Sequence, residues 1–372
     1  MKLVSIFLTL IMMTACASKK EYQLVVGTYT KNTESKGIYT LRVNPAEKKY
    51  SILSTESSVE NPSFLAFKHL SDKKSTETER LLYSVGEGST AGSVHAFRLI
   101  PETGRLQALN SLSANGRGSC SVTATDSHVM IANYSSGNLN VFSLHPDGSL
   151  NSLVQNIQHQ GGSVNPDRQK GPHAHQVIFD PSGNYLFSNN LGNDLLYVYR
   201  YDAENETSPL VAIDSLMMEQ GGGPRHLTFT KNGMTLYVLQ EMTGTISIVH
   251  FENERLTLKG SASVVTKPGN SGAADIHLSP DGRFLYATNR IDYNDITVFA
   301  VNSPSILEFV AQYSTEGIAP RNFMITNDGA YVFVGNQRSD EIVVFQRDAK
   351  KGTLKDTGFR IPVPAPVCHL QY

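Results

Sequence analysis

Cysteine and uncompensated charge are both scarce in this sequence. Three of the 372 residues are cysteine, and no Cys-x-x-Cys or Cys/His ligand pattern occurs, so a structural zinc site is not expected. The 32 basic residues are balanced by 34 acidic ones, so the chain lacks the basic excess typical of proteins that bind nucleic acid, and no nucleic-acid partner is expected. Tryptophan is absent, and no long helical period of apolar residues occurs. The composition is that of an ordinary globular protein.

The N-terminus is the one unusual end of the chain. A lysine precedes an apolar stretch over 3–13, and the triplet Thr-Ala-Cys16 follows it. The stretch is too short to span a bilayer as a helix, and it predicts a secretory signal over residues 1–15. The triplet resembles the bacterial lipobox, with Met13 where leucine is usual, so Cys16 is the predicted lipidation site. The protein is expected to be exported and held at a membrane by that lipid alone; the alternative is a plain signal peptide beside an uninvolved cysteine.

The two remaining cysteines are Cys120 and Cys368. In an exported protein they could form a disulfide, but nothing in their spacing indicates one. We expect both to be buried as small apolar residues.

A pattern of about 50 residues repeats along the chain. Each copy joins an apolar strand end, a polar turn and an alternating strand that ends on an aromatic or branched residue. The copies end at positions 97, 142, 199, 249, 299 and 345, so they recur every 45 to 57 residues. Upstream of most copies lies a further strand pair, joined by turns such as Pro-Asp-Gly282 and Lys-Asn-Gly233, in which glycine supplies the positive φ of a tight turn.

These units predict an all-β fold, a seven-bladed β-propeller with four-stranded antiparallel blades. Each unit supplies three regular strands and a more variable outer strand, and residues 22–372 divide into seven units. The last strand, around 366–370, is expected to pair with the first blade and close the ring, which removes open sheet edges. The absence of tryptophan argues against a WD-repeat propeller. The run 71–80 is predicted to be a solvated hairpin insertion.

Equivalent positions of successive blades lie at one depth of a propeller's channel, so the repeat provides its own control. The first position, on the innermost strands, gives Ser63, Cys120, His175, Arg225, Ala274 and Arg321. The second, after the next strand, gives Glu87, Tyr134, Leu191, Glu241, Arg290 and Gln337. Folding alone would accept small or apolar residues at these places. Charged groups gathered at one mouth of the channel are costly unless they await an anionic ligand.

Each of these residues also has a purely structural alternative. Arg225 and Arg321 could cap turns of neighbouring blades, and Glu241 could form a structural ion pair with Arg225. His173 and His175 lie two apart and project to the same face of a strand. They could bind a metal, but no third ligand stands at a predictable spacing, so no metal is predicted.

Several motifs in these strands resemble one known family. They are Pro172–Val177, Gly223–Phe229, Ala319–Phe323, Asn133–Gly137, Ala274–Ile276 and Asn289–Arg290. Together they resemble the propeller-type lactonases, the cycloisomerase-like 6-phosphogluconolactonase family, over about residues 22 to 372. The same motifs are similar to those of fungal carboxy-muconate lactonising enzymes. Two departures, Gln240 where the family usually has asparagine and Asp275 where glutamate is commoner, remove no charge.

The resemblance implies a set of site residues. Carried over position by position, the catalytic residues are His175, Arg225, Glu241 and Arg290. Substrate-binding roles are expected for His173, Arg321, Asn190, Asp275 and Gln337. Glu241 or His175 would be the general base and acid, Arg225 would face the developing oxyanion, and Arg290 and Arg321 would hold an anionic group.

The expected function is that of a metal-independent hydrolase, without a cofactor, that opens a small sugar lactone, which is expected to be anionic. 6-Phosphogluconolactone is cytosolic, whereas this chain carries an export signal, so the substrate could instead be an extracytoplasmic lactone. Two alternatives remain open: a non-catalytic, lipid-anchored binding propeller of the cell envelope, and a muconate-type cycloisomerase. All three share the fold, so the fold cannot choose among them.

Overall fold

A computed structural model of the protein describes residues 20–68, 80–88 and 90–372. The predicted signal segment 1–15, Cys16 and nearly all of the predicted insertion 71–80 lie outside the described residues. Within the described residues, no helix is long and apolar enough to cross a membrane.

The described chain forms seven sheets, each of four antiparallel strands, as predicted for a seven-bladed propeller. We number the blades along the chain. Blade 1 contains β1 (Tyr22–Thr28), β2 (Ile38–Asn44), β3 (Lys49–Glu56) and β28 (Pro366–Gln371); blade 2 contains β4 (Phe64–Phe67), β5 (Arg80–Gly86), β6 (Ser93–Ile100) and β7 (Arg105–Ser113). Blade 3 contains β8 (Ser119–Ala124), β9 (His128–Asn133), β10 (Asn138–Leu144) and β11 (Leu150–Gln158); blade 4 contains β12 (Ala174–Phe179), β13 (Tyr185–Asn190), β14 (Leu195–Tyr201) and β15 (Leu210–Met217). Blade 5 contains β16 (Pro224–Phe229), β17 (Thr235–Gln240), β18 (Thr245–Glu252) and β19 (Arg255–Ser263); blade 6 contains β20 (Ala273–Leu278), β21 (Phe284–Asn289), β22 (Asp295–Ser303) and β23 (Ile306–Ser314); blade 7 contains β24 (Pro320–Ile325), β25 (Tyr331–Asn336), β26 (Glu341–Arg347) and β27 (Leu354–Pro362).

The C-terminal strand closes the ring, as predicted. β28 pairs antiparallel with β1, with Cys368 opposite Gly27 and His369 opposite Val26. Because the last strand completes the first blade, the two ends of the chain are held in one sheet and the ring has no open seam.

The second strand of each blade is apolar on both faces because each sheet is covered by a neighbour on either side. In β1, Leu24 and Val26 pack into the core between blades 1 and 7, whereas Val25 packs into the core between blades 1 and 2. Alternate residues of a strand point to opposite faces, so a continuous apolar run is what a sandwiched sheet needs. The outer strands instead expose most of their side chains, as in β3.

Polar side chains join neighbouring blades around the channel. Gln176 of β12 accepts a hydrogen bond from the Leu227 backbone N–H of β16 at 2.7 Å. An equivalent bond joins blades 1 and 2, where the Leu65 N–H donates to Cys368 Sγ at 3.4 Å. Cys120 and Cys368 are both buried free thiols, as the sequence predicted.

Candidate functional site

The two sets of equivalent positions lie next to each other in the structure, at the same mouth of the channel. In blade 5 the Glu241 N–H donates to the Gly223 carbonyl, two residues before Arg225. The same backbone bond is formed by all the residues of the second set, and the structure adds the seventh pair, in which Tyr29 bonds Ala365, two residues before Val367. The repeat therefore aligned the blades in the correct register.

A β-bulge presents the charged and histidine residues of the first set to the channel. Along β16, Pro224 pairs with Gln240 and His226 with Leu239, so Arg225 has no partner of its own. His175 and Arg321 are passed over in the same way on β12 and β24. A bulge changes the direction of one side chain without ending the strand, which is how these residues leave the sheet and meet at one mouth.

Glu241 is the centre of an ion cluster at this mouth. Its Oε2 accepts from Arg225 Nε at 2.9 Å and lies 3.1 Å from Arg290 Nη2. Its Oε1 accepts from Arg168 Nη2 at 2.9 Å. One carboxylate thus binds three guanidinium groups, from strand β16, from the turn after β21 and from the connection before β12.

The charges in this cluster shift one another's pKa values. Burial alone would raise the pKa of Glu241, but Arg290, Arg225 and Arg168 overcome it and lower the value to about 2. Burial, together with Arg321 and Arg290, lowers the pKa of Arg225 to about 9 despite its carboxylate partner. Glu241 is therefore a fully ionised anion with little tendency to accept a proton at neutral pH.

His175 lies beside this cluster and is 4% exposed. Its ring makes an edge contact with Tyr134, at 5.6 Å between centroids, and another with His226 at 5.4 Å. Burial and the neighbouring Arg225 hold the pKa of His175 well below its usual value, so the ring is neutral at pH 7. Its buried Nδ1 has no hydrogen-bond partner among the described residues.

Tyr134 organises the same side of the mouth. His173 stacks on its ring at 4.4 Å between centroids, and His173 Nδ1 lies 2.9 Å from the Tyr134 carbonyl oxygen. The Tyr134 hydroxyl accepts a hydrogen bond from Arg168 Nη2 at 3.0 Å. His173 therefore lies on a face of the Tyr134 ring, whereas His175 meets the same ring in a T-shaped contact.

Arg321 is held differently from the other arginines. Its guanidinium lies over the ring of Tyr29, 5.3 Å from the centroid, and the Tyr29 hydroxyl donates to Glu87 Oε2 at 2.8 Å. In the described part of the chain no side-chain hydrogen bond to the Arg321 guanidinium occurs, so its N–H donors remain available to a ligand. Arg168, Arg225, Arg290 and Arg321 outnumber the two nearby glutamates, which leaves a cationic mouth.

Asp275 forms a second group, on the neighbouring part of the channel wall. Its Oδ1 lies 2.7 Å from His226 Nδ1, and its Oδ2 contacts His277 Nε2 at 2.9 Å and Asn322 Nδ2 at 2.6 Å. The Phe323 N–H also donates to Oδ2. Burial opposes ionisation of Asp275, but His277 and His226 hold its pKa well below the usual range.

Not all the predicted site residues come together. His175, Arg225, Glu241, Arg290, His173 and Arg321 share the mouth. Asn190 is fully buried, and its side chain bonds the backbone N–H of His173 and Nδ1 of His159. Gln337 occupies the equivalent position in blade 7, beside a groove of about 550 Å³ that Asn32 and Arg338 also line.

Sequence reasoning missed Arg168 as a member of the mouth, and it missed His226 as the residue between His175 and the Asp275 group. Arg168 lies in the connection 159–173 between β11 and β12, outside the repeated strands. Two signals were available: the long Gly-rich polar loop of residues 159–172, which leads directly to the site histidines, and the 57-residue interval between copies ending at 142 and 199, the longest of the series. His226 follows Arg225 directly and was hidden because the bulge, not the alternation of the strand, decides where both side chains point.

Comparisons with known proteins agree with this architecture. The sequence profile of the family described as "Lactonase, 7-bladed beta-propeller" matches residues 23–370. A 6-phosphogluconolactonase of Bacillus subtilis is 33% identical over 350 residues, which cover 92% of this chain and 96% of the relative. A 6-phosphogluconolactonase of Formosa agariphila is 30% identical over 340 residues, covering 89% and 94% of the two chains.

The same fold occurs in solved structures. The periplasmic gluconolactonase of Pseudomonas aeruginosa superposes with a TM-score of 0.87 at 33% sequence identity, covering 95% of this chain and 99% of that one. The similarity therefore extends over the whole propeller, including every blade that contributes to the mouth.

Proposed function

This chain belongs to the family of seven-bladed β-propeller lactonases, and we propose on that basis that it hydrolyses a sugar lactone bearing an anionic group. The observation that carries the proposal is the cationic mouth, where four guanidinium groups lie near Glu241 and three of them also act on the neutral His175. Named relatives act on a phosphorylated lactone in one case and on gluconolactone in another, as their names state.

Arg225 is assigned to the oxyanion of the tetrahedral intermediate. Its Nε is held by Glu241 and its Nη1 donates to the Ala274 carbonyl, so the guanidinium is fixed before substrate arrives. A preorganised cation in a buried site stabilises developing negative charge without reorganisation. Glu241 supports this role by fixing Arg225, Arg290 and Arg168 together.

His175 is assigned as the general base that takes a proton from the attacking water. Glu241 is the poorer candidate because its pKa is about 2 and its two oxygens already accept from arginines. The pKa of His175 is depressed partly by Arg225, Arg321 and Arg290. An anionic substrate that neutralises these cations would raise the pKa of His175 and make it a better base at the moment of reaction.

The ring oxygen of the lactone must leave as a hydroxyl. The imidazolium that forms when His175 accepts a proton from water can return that proton to the leaving oxygen, so one residue serves both steps. Arg321, whose donors form no hydrogen bond with the described residues, would hold the substrate's phosphate or carboxylate.

Turnover by a His175 variant tests this assignment. The protein from Lys19 onward is assayed with 6-phosphogluconolactone, gluconolactone and a muconolactone, following proton release in weak buffer above the spontaneous rate. His175→Ala should lower kcat by about 100-fold or more because base catalysis is lost. His128→Ala is the matched control, since His128 is also buried but lies at the far end of blade 3.

The same panel decides between the proposed hydrolase and its alternatives. Hydrolysis of the phosphorylated lactone in preference to gluconolactone would match the relatives from Bacillus and Formosa. A folded protein that turned over none of the lactones would contradict the hydrolase proposal and favour an envelope binding propeller. Lactone formation from a muconate would favour the cycloisomerase.

We also propose that the protein acts outside the cytoplasm, tethered by lipid at Cys16. The signal-like segment 1–15 and the periplasmic location named for the Pseudomonas relative support this. Cys16→Ala should move the full-length protein from the membrane fraction to the soluble fraction of cells. A wild-type protein found wholly in the cytosol would contradict the proposal.

A further inference from the structure

A buried aspartate ties together two parts of the candidate site that the repeat keeps separate. Asp194 is fully buried in the turn between β13 and β14 and adopts a positive φ of 56°. Its Oδ1 accepts from Gln169 Nε2 at 2.7 Å and from the Gly223 N–H at 2.8 Å. Its Oδ2 accepts from Ser163 Oγ at 2.5 Å and from the Gly221 N–H at 2.7 Å. All four strong acceptor directions of the carboxylate are used.

One of these bonds belongs to a device that recurs around the ring. Asn294 and Asp340 occupy corresponding turns, also at positive φ. Asn294 accepts from the Ala319 N–H and Asp340 from the Ala365 N–H, in each case two residues before the bulge of the next blade. The bond from Gly223 to Asp194 is the same, and it fixes the backbone two residues before Arg225.

Among the residues that the structure describes, the other bonds of Asp194 have no counterpart at Asn294 or Asp340. Ser163 and Gln169 belong to the 159–173 connection, which carries Arg168 to Glu241. Arg168 itself is exposed, whereas the adjacent Gln169 is buried and is the point at which the connection is fastened. The same carboxylate therefore holds the backbone that leads to Arg225 and the segment that carries Arg168.

We propose that Asp194 is a positioning residue that sets where Arg168 and Arg225 meet Glu241, and through them the binding and turnover of the anionic lactone. This rests on the proposed function for its kinetic consequence, but not for its structural one. The carboxylate contacts neither the mouth nor the substrate position; it acts through the two arginines.

Asp194→Asn is the test because it keeps the size of the side chain and asparagine tolerates a positive φ. An amide can accept on one side only, so its NH2 group would face either Gln169 and Gly223 or Ser163 and Gly221. We expect kcat/KM to fall about 10- to 100-fold, with a higher KM for the anionic lactone, because displacing charged groups by a fraction of an ångström has effects of this size.

Asp180→Asn is the matched control. Asp180 is a buried aspartate of the same blade, in the turn after β12 at the opposite face, and it accepts from the N–H groups of Ser182 and Tyr185. The Asp180→Asn variant should lose about as much stability as Asp194→Asn, while its KM stays within about twofold of the wild type. A role of Asp194 in folding alone would make the two variants alike.

Trypsin provides a readout that needs no turnover. Arg168 and Lys170 are exposed cleavage sites on either side of buried Gln169. Under native conditions Asp194→Asn should be cut at residues 168–170 faster than the wild type and Asp180→Asn, because its connection is no longer fastened. If the wild type turned over no lactone, the proposed function would fail, but faster cleavage would still support the fastening role.

A second variant covers the case in which Asp194→Asn does not fold. Ser163→Ala combined with Gln169→Ala releases the connection while leaving Asp194 and its bonds to Gly221 and Gly223 intact. It should show faster cleavage and a raised KM. The proposal is overturned if trypsin cleaves the folded variants at the wild-type rate. This holds if their KM and kcat are unchanged, and also if only kcat falls, to the extent seen in Asp180→Asn.

Discussion

Glu241 and Asp275 are two buried carboxylates on the channel wall, each with three or more donors, and they differ in what those donors are. Glu241 binds three guanidinium groups that cannot lose their charge, so its surroundings stay cationic. Asp275 binds two imidazoles, an amide and a backbone N–H. The first arrangement leaves positive charge for a ligand, whereas the second satisfies its own carboxylate and stabilises the channel. Burial of a carboxylate alone therefore does not identify a substrate site.

The sharpest test of this comparison is to make the same change at both carboxylates. Glu241→Gln leaves three arginines without their counter-charge, so we expect a fall in kcat/KM of about 100- to 1000-fold as Arg225 loses its fixed position. The loss of a partner in a buried ion cluster should also destabilise the fold by about 3–5 kcal/mol. Lactone turnover and urea unfolding at pH 7 measure the two effects. Wild-type turnover in the folded variant would contradict the assignment of Glu241 to the site.

The pH dependence of this stability follows from the pKa of Glu241. The value is about 2 in the folded protein, against 4.5 for an ordinary glutamate. The ionised carboxylate therefore stabilises the fold above pH 4.5, and this contribution is lost as the pH falls toward 2. It amounts to about 3 kcal/mol, which Glu241→Gln should lack. Urea unfolding of both proteins between pH 7 and pH 2.5 checks the difference in slope; parallel curves would contradict it.

A smaller and more selective effect is expected at Arg321, the one of the four mouth arginines that has no carboxylate ligand among the described residues. Arg321→Ala should raise KM for a phosphorylated lactone about 10- to 100-fold and leave KM for gluconolactone nearly unchanged, because only the charged substrate uses its donors. Arg347→Ala is the control, since Arg347 is a buried arginine of the same blade at the far face. An equal rise in KM for both lactones would show that Arg321 does not distinguish the charged substrate from the neutral one.

The smallest effect on activity is expected at Asp275. Asp275→Asn keeps an acceptor for His226 or for the Phe323 N–H but not for all its donors, so the fold should lose about 1–3 kcal/mol. Because the group is satisfied internally, kcat/KM should stay within about fivefold of the wild type. A loss as large as that of Glu241→Gln would mean that His226 and Asp275 act on the substrate, and would erase the distinction drawn between the two carboxylates.

The sequence predicted the blades because their two-sided burial leaves a mark on every copy. Runs such as Leu24–Val26 are apolar on both faces, and Gly233 and Gly282 take the positive φ that their turns require. It also aligned His175, Arg225 and Arg321, since residues at the same point of each repeat must lie at the same depth. The hydrogen-bond partners of these residues were harder to predict from the sequence. Asn190 was expected to bind substrate, but its side-chain amide is hydrogen-bonded to His159 and to the backbone of His173.

The amino-acid sequence by itself thus determined the seven-bladed ring, its closure by β28 and the depth at which the charged residues lie, because these depend on a period that repeats along the chain. The sequence offered the pair of Arg225 with Glu241 as one alternative, and the structure contains it, but only the tertiary structure decided which other charges meet. Arg168 reaches Glu241 from a connection outside the repeat, the bulges set the direction of Arg225 and His175, and Asp194 joins segments of blade 4 and blade 5. These contacts lie between residues far apart in sequence and have no period, so only the folded chain specifies them.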